Sequence, residues 1–252
     1  MLQRINLPGL AFMAGLVVLW EIFARTVGAQ LETIPSVSRI LVALHQLVSD
    51  GVLMPQLVHT VFVSIAGWLI ACAIGLTAGL VIGIWRPVWT YSMASIDVLR
   101  SIPSISLISI ALLLFGFSSK MEMVIVVYVS QWPVLLATAS AVGATPRSYL
   151  DSARSLRLSE RATVMKVRIP AALPSIVVGV RLALTLSIAL AVVAEMVGNP
   201  AGLGFGIVYA QQAIQPAQAF AYLLVIGLIG WGLNAALMVA VERAMKAHAV
   251  AP

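Results

Sequence analysis

Residues 59–84 read HTVFVSIAGWLIACAIGLTAGLVIGI, a run without a single Asp, Glu, Lys or Arg. A helix needs about 20 such residues to cross a hydrocarbon layer about 30 Å thick, so this stretch is long enough to span a membrane. Within it Gly67, Ala71, Gly75, Gly79 and Gly83 recur every fourth residue. That spacing stacks five small residues on one helix face, where a second helix can approach closely and pack by van der Waals contact. Arg86-Pro87 ends the run.

The whole chain has the same character. Of its 252 residues, 61% are hydrophobic and 10% charged. Soluble domains sit near 45–50% apolar and about 25% charged, so aqueous globular, disordered and disulfide-scaffold classes are excluded. The expectation is an all-α polytopic membrane protein whose single domain covers residues 1–252. Six spans are expected, at about 7–27, 59–84, 103–117, 123–142, 175–196 and 220–241. The first run also has the look of a signal peptide, with Val27-Gly28-Ala29 as small residues for cleavage. Glu21 and Arg25 interrupt it, however, and its apolar part is long, which favours a span.

Between the first two spans, Val37, Ile40, Leu41, Leu44, Leu47 and Val48 follow the spacing of one helix face. Ser36 is a suitable N-cap and Asp50-Gly51 a natural stop. This helix is too short and polar to span and is expected at the membrane surface or against the bundle.

The net charge is +6, from 15 basic residues. Spread over so apolar a chain, they build no face that tracks phosphates, so nucleic acid is excluded. Their distribution instead sets topology. With the N-terminus inside, the cytoplasmic side holds Arg4, Arg86, Arg147, Arg154, Arg157, Arg161, Lys166, Arg168, Arg243 and Lys246. Arg25, Arg39 and Lys120 lie outside, and Arg100 and Arg181 near the cytoplasmic interface. Excess Lys and Arg mark cytoplasmic loops, so both termini are expected inside.

Catalytic signatures are sparse. The single cysteine, Cys72, reads as a small buried hydrophobe. His45, His59 and His248 are isolated in sequence and read as surface or interface histidines, with no metal ligand set. Ser64 and Ser187 lie in spans, where hydroxyls bond to backbone. There is no Gly-rich loop ending in Lys and Ser or Thr to cradle a nucleotide phosphate. The chain is therefore expected to bind no cofactor directly and to catalyse no reaction. A passive channel or an intramembrane hydrolase is the alternative, but no Ser–His or paired-Asp constellation is evident.

Residues 143–170 form the one long polar stretch, with six of the basic residues and only Asp151 and Glu160 as acids. Thr145-Pro146 reads as an N-cap followed by proline at the first helical position. A second start is expected at Ser159-Glu160, and Pro170 and Pro174 are expected to close the segment. A basic loop would satisfy topology. Two capped helices joined near Arg157-Leu158 suggest in addition a docking element for a soluble partner.

The run Leu150-Asp151-Ser152-Ala153-Arg154-Ser155-Leu156, followed by Val167-Arg168-Ile169-Pro170-Ala171-Ala172-Leu173-Pro174, resembles the cytoplasmic "EAA" loop of ATP-binding-cassette importer permeases. Ile34-Pro35-Ser36-Val37, Leu99-Arg100-Ser101-Ile102-Pro103, Gly179-Val180-Arg181-Leu182-Ala183, and Ala194-Glu195-Met196 with Gly202-Leu203-Gly204 are similar to the nitrate/sulfonate/taurine branch. The resemblance implies a bacterial inner-membrane permease for a small anionic solute. It also implies two ATP-binding-cassette subunits that use the ATP, a second permease, the same or homologous, and an extracytoplasmic substrate-binding protein. ATPase docking would fall on Tyr149, Leu150, Asp151, Ser152, Ala153, Arg154, Ser155, Leu156, Arg157 and Arg161. The loop's usual leading Glu is Asp151 here, and its usual Gly is Arg157. If that elbow needs a positive φ, the arginine costs roughly 1 kcal/mol.

Glu195 ends the fifth expected span and precedes a loop carrying Gly198, Pro200, Gly202 and Gly204. A charge there should face the bundle or water, which makes it a candidate pathway or outer-gate residue. Arg100 and Arg181 are candidates to attract an anion, with interfacial snorkelling as the competing role.

Overall fold

The computed structural model describes residues 7–26 and 33–249. Arg4 and Val27-Gly28-Ala29 lie outside the described residues, as do the side chains of Lys246 and His248. The described chain is helical, as its composition requires. In order the helices are α1 (Leu7–Thr26), α2 (Val37–Ser49), α3 (Leu53–Ile84), α4 (Arg86–Ser101), α5 (Ser104–Phe115) and α6 (Ser119–Gly143). They continue with α7 (Arg147–Ser155), α8 (Glu160–Thr163), α9 (Ile169–Gly198), α10 (Gly202–Gln212) and α11 (Pro216–Ala249).

Four of these stretches are long and apolar enough to cross a membrane: α3, α6, the continuous run Glu160–Gly198, and α11. The pair α4 and α5, bent by 81° at Ile102-Pro103, adds a fifth if counted as one broken span. By itself α5 is 12 residues, about 18 Å, which is less than the hydrocarbon thickness. By length and composition the described residues thus provide four spans, or five with the bent pair, against the six expected.

The centre is a three-helix bundle of α3, α6 and α9, which make the most extensive contacts in the chain. The glycine stripe of α3 faces α6. A Cβ at Gly75 would meet Val134 Cβ at 2.7 Å and the Gln131 carbonyl at 2.8 Å, and one at Gly79 would meet the Leu135 carbonyl and Thr138 Cβ, both at 2.7 Å. At Gly67 it would strike Val126 and at Gly83 the Ala139 carbonyl, while Ala71 is fully buried. Backbone-to-backbone approach of this kind replaces the missing hydrophobic drive between helices in lipid. Gly179 seats α9 on α6 in the same way, against Ala137 Cβ at 2.7 Å and the Pro133 carbonyl at 2.8 Å. Trp68 Nε1 donates to the Val180 carbonyl at 3.0 Å and ties α3 to α9. Cys72 is buried with Val134 and Ala183.

Around this bundle α10 packs on α9, α11 and α3, while α2 packs on α11. Ser36 caps α2 by accepting from the Arg39 amide at 3.4 Å, and Gly51 follows its last turn at φ +71°. Glu21 on α1 accepts from the amide and hydroxyl of Ser38 at 3.2 and 2.8 Å, which fixes α1 to the start of α2.

Two local expectations change. Thr145 does not cap α7. Its hydroxyl donates back to the Val142 carbonyl at 2.9 Å, closing α6, and α7 begins one residue later at Arg147. Pro170 and Pro174 do not close the polar segment either. Val164–Arg168 forms a π-helical turn, and α8, this turn and α9 run on without a break. A proline lacks the amide that would donate to the carbonyl one turn earlier. The wider π turn accommodates that loss just ahead of Pro170.

Candidate functional site

After α6 the chain forms the short polar helix α7, which packs against the π turn. Of its nine residues only Ala153 is buried, at 2% exposure, where α7 meets the π turn. Tyr149 and Leu156 are 54% and 73% exposed. Asp151 and Arg154 are exposed too and pair with each other at 3.2 Å. So open an ion pair contributes little, and either charge is free to exchange for an outside partner. Ser152 and Ser155 donate to carbonyls of α7 itself. An apolar and charged face thus stands on a short helix anchored through one alanine.

The end of α7 is a Schellman motif. The Arg157 amide donates to the Arg154 carbonyl at 2.9 Å and the Leu158 amide to the Ala153 carbonyl at 3.0 Å. The motif places Arg157 at φ +52°, the left-handed conformation in which glycine is the usual residue. Ser159 then caps α8 by accepting from the Ala162 amide at 3.3 Å, with Glu160 and Arg161 in its first turn. Where α3 and α6 end beside the π turn, Arg86, Trp89, Ser140, Gly143 and Arg168 line a cavity of about 650 Å³.

Glu195 is 1% exposed and so faces the interior of this one chain. Its Oε2 accepts from the Gly204 amide at 2.8 Å, and the Leu203 amide donates to Thr60 Oγ1 at 2.8 Å. A carboxylate from α9 therefore caps the N-terminus of α10, where unpaired amides and the helix dipole favour negative charge. The chain can wrap this carboxylate because it has no Cβ at two positions. Gly202 sits at φ +88° with its missing Cβ aimed at the Glu195 carboxyl group, and a Cβ at Gly204 would strike the Val192 carbonyl.

Beside it lies a polar group that the sequence reading missed. His59 Nε2 and Glu122 Oε2 are 2.9 Å apart, and Asn199 bridges the two, with Nδ2 on Glu122 Oε1 and 3.3 Å from His59 Nε2. Glu122 is fully buried. One donor atom each from His59, Glu122 and Glu195 lies within 4.8 Å of the others. The expectation that the histidines are isolated holds in sequence and fails in space for His59. The available signal was Glu122 itself, an ionisable residue within an apolar helix, which signals a partner.

The remaining candidates lie apart from this group. Arg100 is exposed and paired with Asp97 at 2.8 Å in the last turn of α4. Arg181 is exposed, midway along the apolar α9.

A model of the family described as "binding-protein-dependent transport system inner membrane component" matches residues 72–244. A bicarbonate transport system permease protein of Synechococcus elongatus is 30% identical over 239 residues, covering 91% of this chain and 85% of its own length. A Bacillus subtilis strain 168 protein named for aliphatic sulfonates transport is 25% identical over 224 residues, covering 89% of this chain and 81% of its own. Among solved structures, an inward-facing form of the MetNI methionine ABC transporter superposes with a TM-score of 0.65. It is 20% identical, over 77% of this chain and 95% of that one, a likeness of fold.

Proposed function

This chain belongs to the binding-protein-dependent transport system inner membrane components, and we propose that it carries a small oxyanion across the membrane with α7 as the docking site of its ATPase. It is a multi-pass permease subunit of an ABC importer, and ATP hydrolysis belongs to separate subunits. The channel and hydrolase alternatives find no support among the relatives.

The observation that carries the docking reading is the shape of α7. Tyr149, Leu150, Asp151, Ser152, Arg154, Ser155 and Leu156 stand on a helix held to the bundle through Ala153, and Arg157 turns the chain back beneath it. Such a helix can transmit displacement, because it leads through α8 and the π turn directly into the long α9. Binding and hydrolysis of ATP in the partner would then bias two arrangements of the spans. Full assembly requires two ATP-binding subunits, a second permease and an extracytoplasmic binding protein. In this arrangement the six spans leave both termini in the cytoplasm, and residues 143–170 face the ATPase.

For the solute, support comes from relatives named for bicarbonate, nitrate and aliphatic sulfonates. These share a compact, oxygen-rich anion. The exposed Arg181 on an apolar helix is the residue on this chain best suited to attract one, with Arg100, paired to Asp97, as the second candidate.

The test is uptake by the whole importer reconstituted in liposomes. Asp151→Lys should abolish ATP-driven transport while leaving membrane insertion and the thermal unfolding of the permease intact. Ala153→Arg, which forces a charged side chain into the buried anchor of α7, should abolish transport with insertion intact and a lowered unfolding midpoint. Transport at the normal rate in both variants overturns the docking assignment. A panel of labelled bicarbonate, nitrate, taurine and a neutral amino acid tests the solute class, and uptake of the neutral compound alone rules out the anion.

A further inference from the structure

We propose that His59, Glu122 and Glu195 form a binding site for one divalent transition-metal cation of the Mn²⁺ or Zn²⁺ class. Nothing in the transport reading requires this site. It rests on three independent features of the cluster.

The first is geometry. The three residues come from α3, α6 and α9, the helices of the central bundle, and offer donor atoms within 4.8 Å of one another. Ligands about 2.1 Å from a tetrahedral ion lie about 3.4 Å apart, so closure around it needs movements of about an ångström. Carboxylate rotations supply that.

The second is charge. Two carboxylates that are 0% and 1% exposed stand against one imidazole, and no ion pair among the described residues brings a Lys or Arg to either. With both carboxylates ionised, even a protonated His59 leaves the group net negative. The α10 N-terminus offsets part of that, whereas a divalent cation with neutral imidazole balances it fully.

The third is an unused acceptor. Glu195 Oε1 is buried with no donor in hydrogen-bonding geometry: the Gly204 amide is on Oε2, and the neighbouring Thr60 hydroxyl is directed to the Gln56 carbonyl at 3.1 Å. A buried carboxylate oxygen left without a donor is costly, and a metal ion satisfies it. One imidazole nitrogen with two carboxylate oxygens suits Mn²⁺ or Zn²⁺ better than the all-oxygen sets that hold Mg²⁺ or Ca²⁺. Bound there, the ion would clamp the ends of α3, α6 and α9 together.

The experiment uses the full-length permease purified with its partner subunits, stripped with chelator and dialysed. MnCl₂ and ZnCl₂ are titrated separately by calorimetry, with metal content measured after gel filtration. One ion per permease chain is expected for at least one of the metals. Glu195→Gln, which keeps an acceptor for the Gly204 amide, and His59→Gln should each weaken binding by at least about ten-fold, while Asp50→Asn on the exposed end of α2 leaves it unchanged. With Mn²⁺, electron spin echo should show coupling to an imidazole nitrogen that disappears in His59→Gln. Two results overturn the site: neither metal binds the wild-type complex, or a bound metal is unaffected by both Glu195→Gln and His59→Gln. Should a variant fail to fold, the wild type decides by itself, since an absent imidazole coupling also refutes it.

Discussion

His59 Nε2 lies 2.9 Å from Glu122 Oε2, although 63 residues separate them in the chain. The contact joins α3 to α6 at the end of the bundle where Asn199 and Glu195 also converge. Inside an apolar bundle, such a pair does more to select one arrangement of helices than to add net stability.

Removing one partner of that pair is correspondingly damaging. His59→Ala leaves Glu122 buried with Asn199 as its remaining side-chain partner, and should destabilise the permease by about 3–5 kcal/mol. His59→Gln, which retains a donor, should be milder. Thermal unfolding in detergent ranks the two, and equal midpoints would show that the hydrogen bond carries no stability.

The α3–α6 contact tolerates no added methyl. Gly75→Ala directs a Cβ to 2.7 Å from Val134 Cβ and 2.8 Å from the Gln131 carbonyl, so α6 must shift. A loss of about 1–3 kcal/mol is expected from this overpacking. Gly227→Ala on α11, where the added Cβ meets nothing within 4 Å, serves as the comparison and should leave the unfolding midpoint unchanged or raised.

Gly202 and Glu195 form one device, and each can be tested against the other. Gly202→Ala drives a Cβ into the Glu195 carboxyl group from a backbone at φ +88°. Glu195→Ala leaves the Gly204 amide unpaired, at a cost of about 1–3 kcal/mol. Both should expose the first turn of α10 to hydrogen exchange. A double variant should cost less than the sum of the two, because removing the carboxylate also removes the clash. Strict additivity would show that the two residues do not act on each other.

Arg157 offers a gain. At φ +52° its side chain costs roughly 1 kcal/mol relative to glycine, so Arg157→Gly should slow hydrogen exchange at the Leu158 amide. Arg157→Val, with a β-branched side chain at positive φ, should speed it. The reverse order would mean that the Schellman turn is not what holds the end of α7.

Much of the architecture was readable without coordinates, because its causes are local. The apolar run of residues 59–84 forces a long helix, and the four-residue glycine spacing puts small residues on one face whatever that face meets. Ser36, Gly51 and Ser159 act on amides or turns within a few residues, so they mark helix ends directly. The resemblance at residues 150–156 and 167–174 led to the family and required only the order of residues. Thr145 and Pro170 each had two local options: the Thr145 hydroxyl closes α6 on the Val142 carbonyl instead of opening α7, and the π turn ahead of Pro170 carries α8 on into α9.

The buried cluster was beyond that reach. No periodicity relates His59, Glu122, Glu195 and Asn199, which lie on α3, α6, α9 and the loop after it. Helical spacing orders side chains within one helix, but it says nothing of how two helices rotate and slide against each other. That register is set by the close approach of Gly75 and Gly79 to the backbone of α6, and by Gly179 against Pro133. Once those contacts lock, His59 reaches Glu122, and Glu195 reaches the amides of α10. Local patterning thus accounts for the helices and the short helical segment after α6, while interhelical packing alone brings the buried carboxylates together.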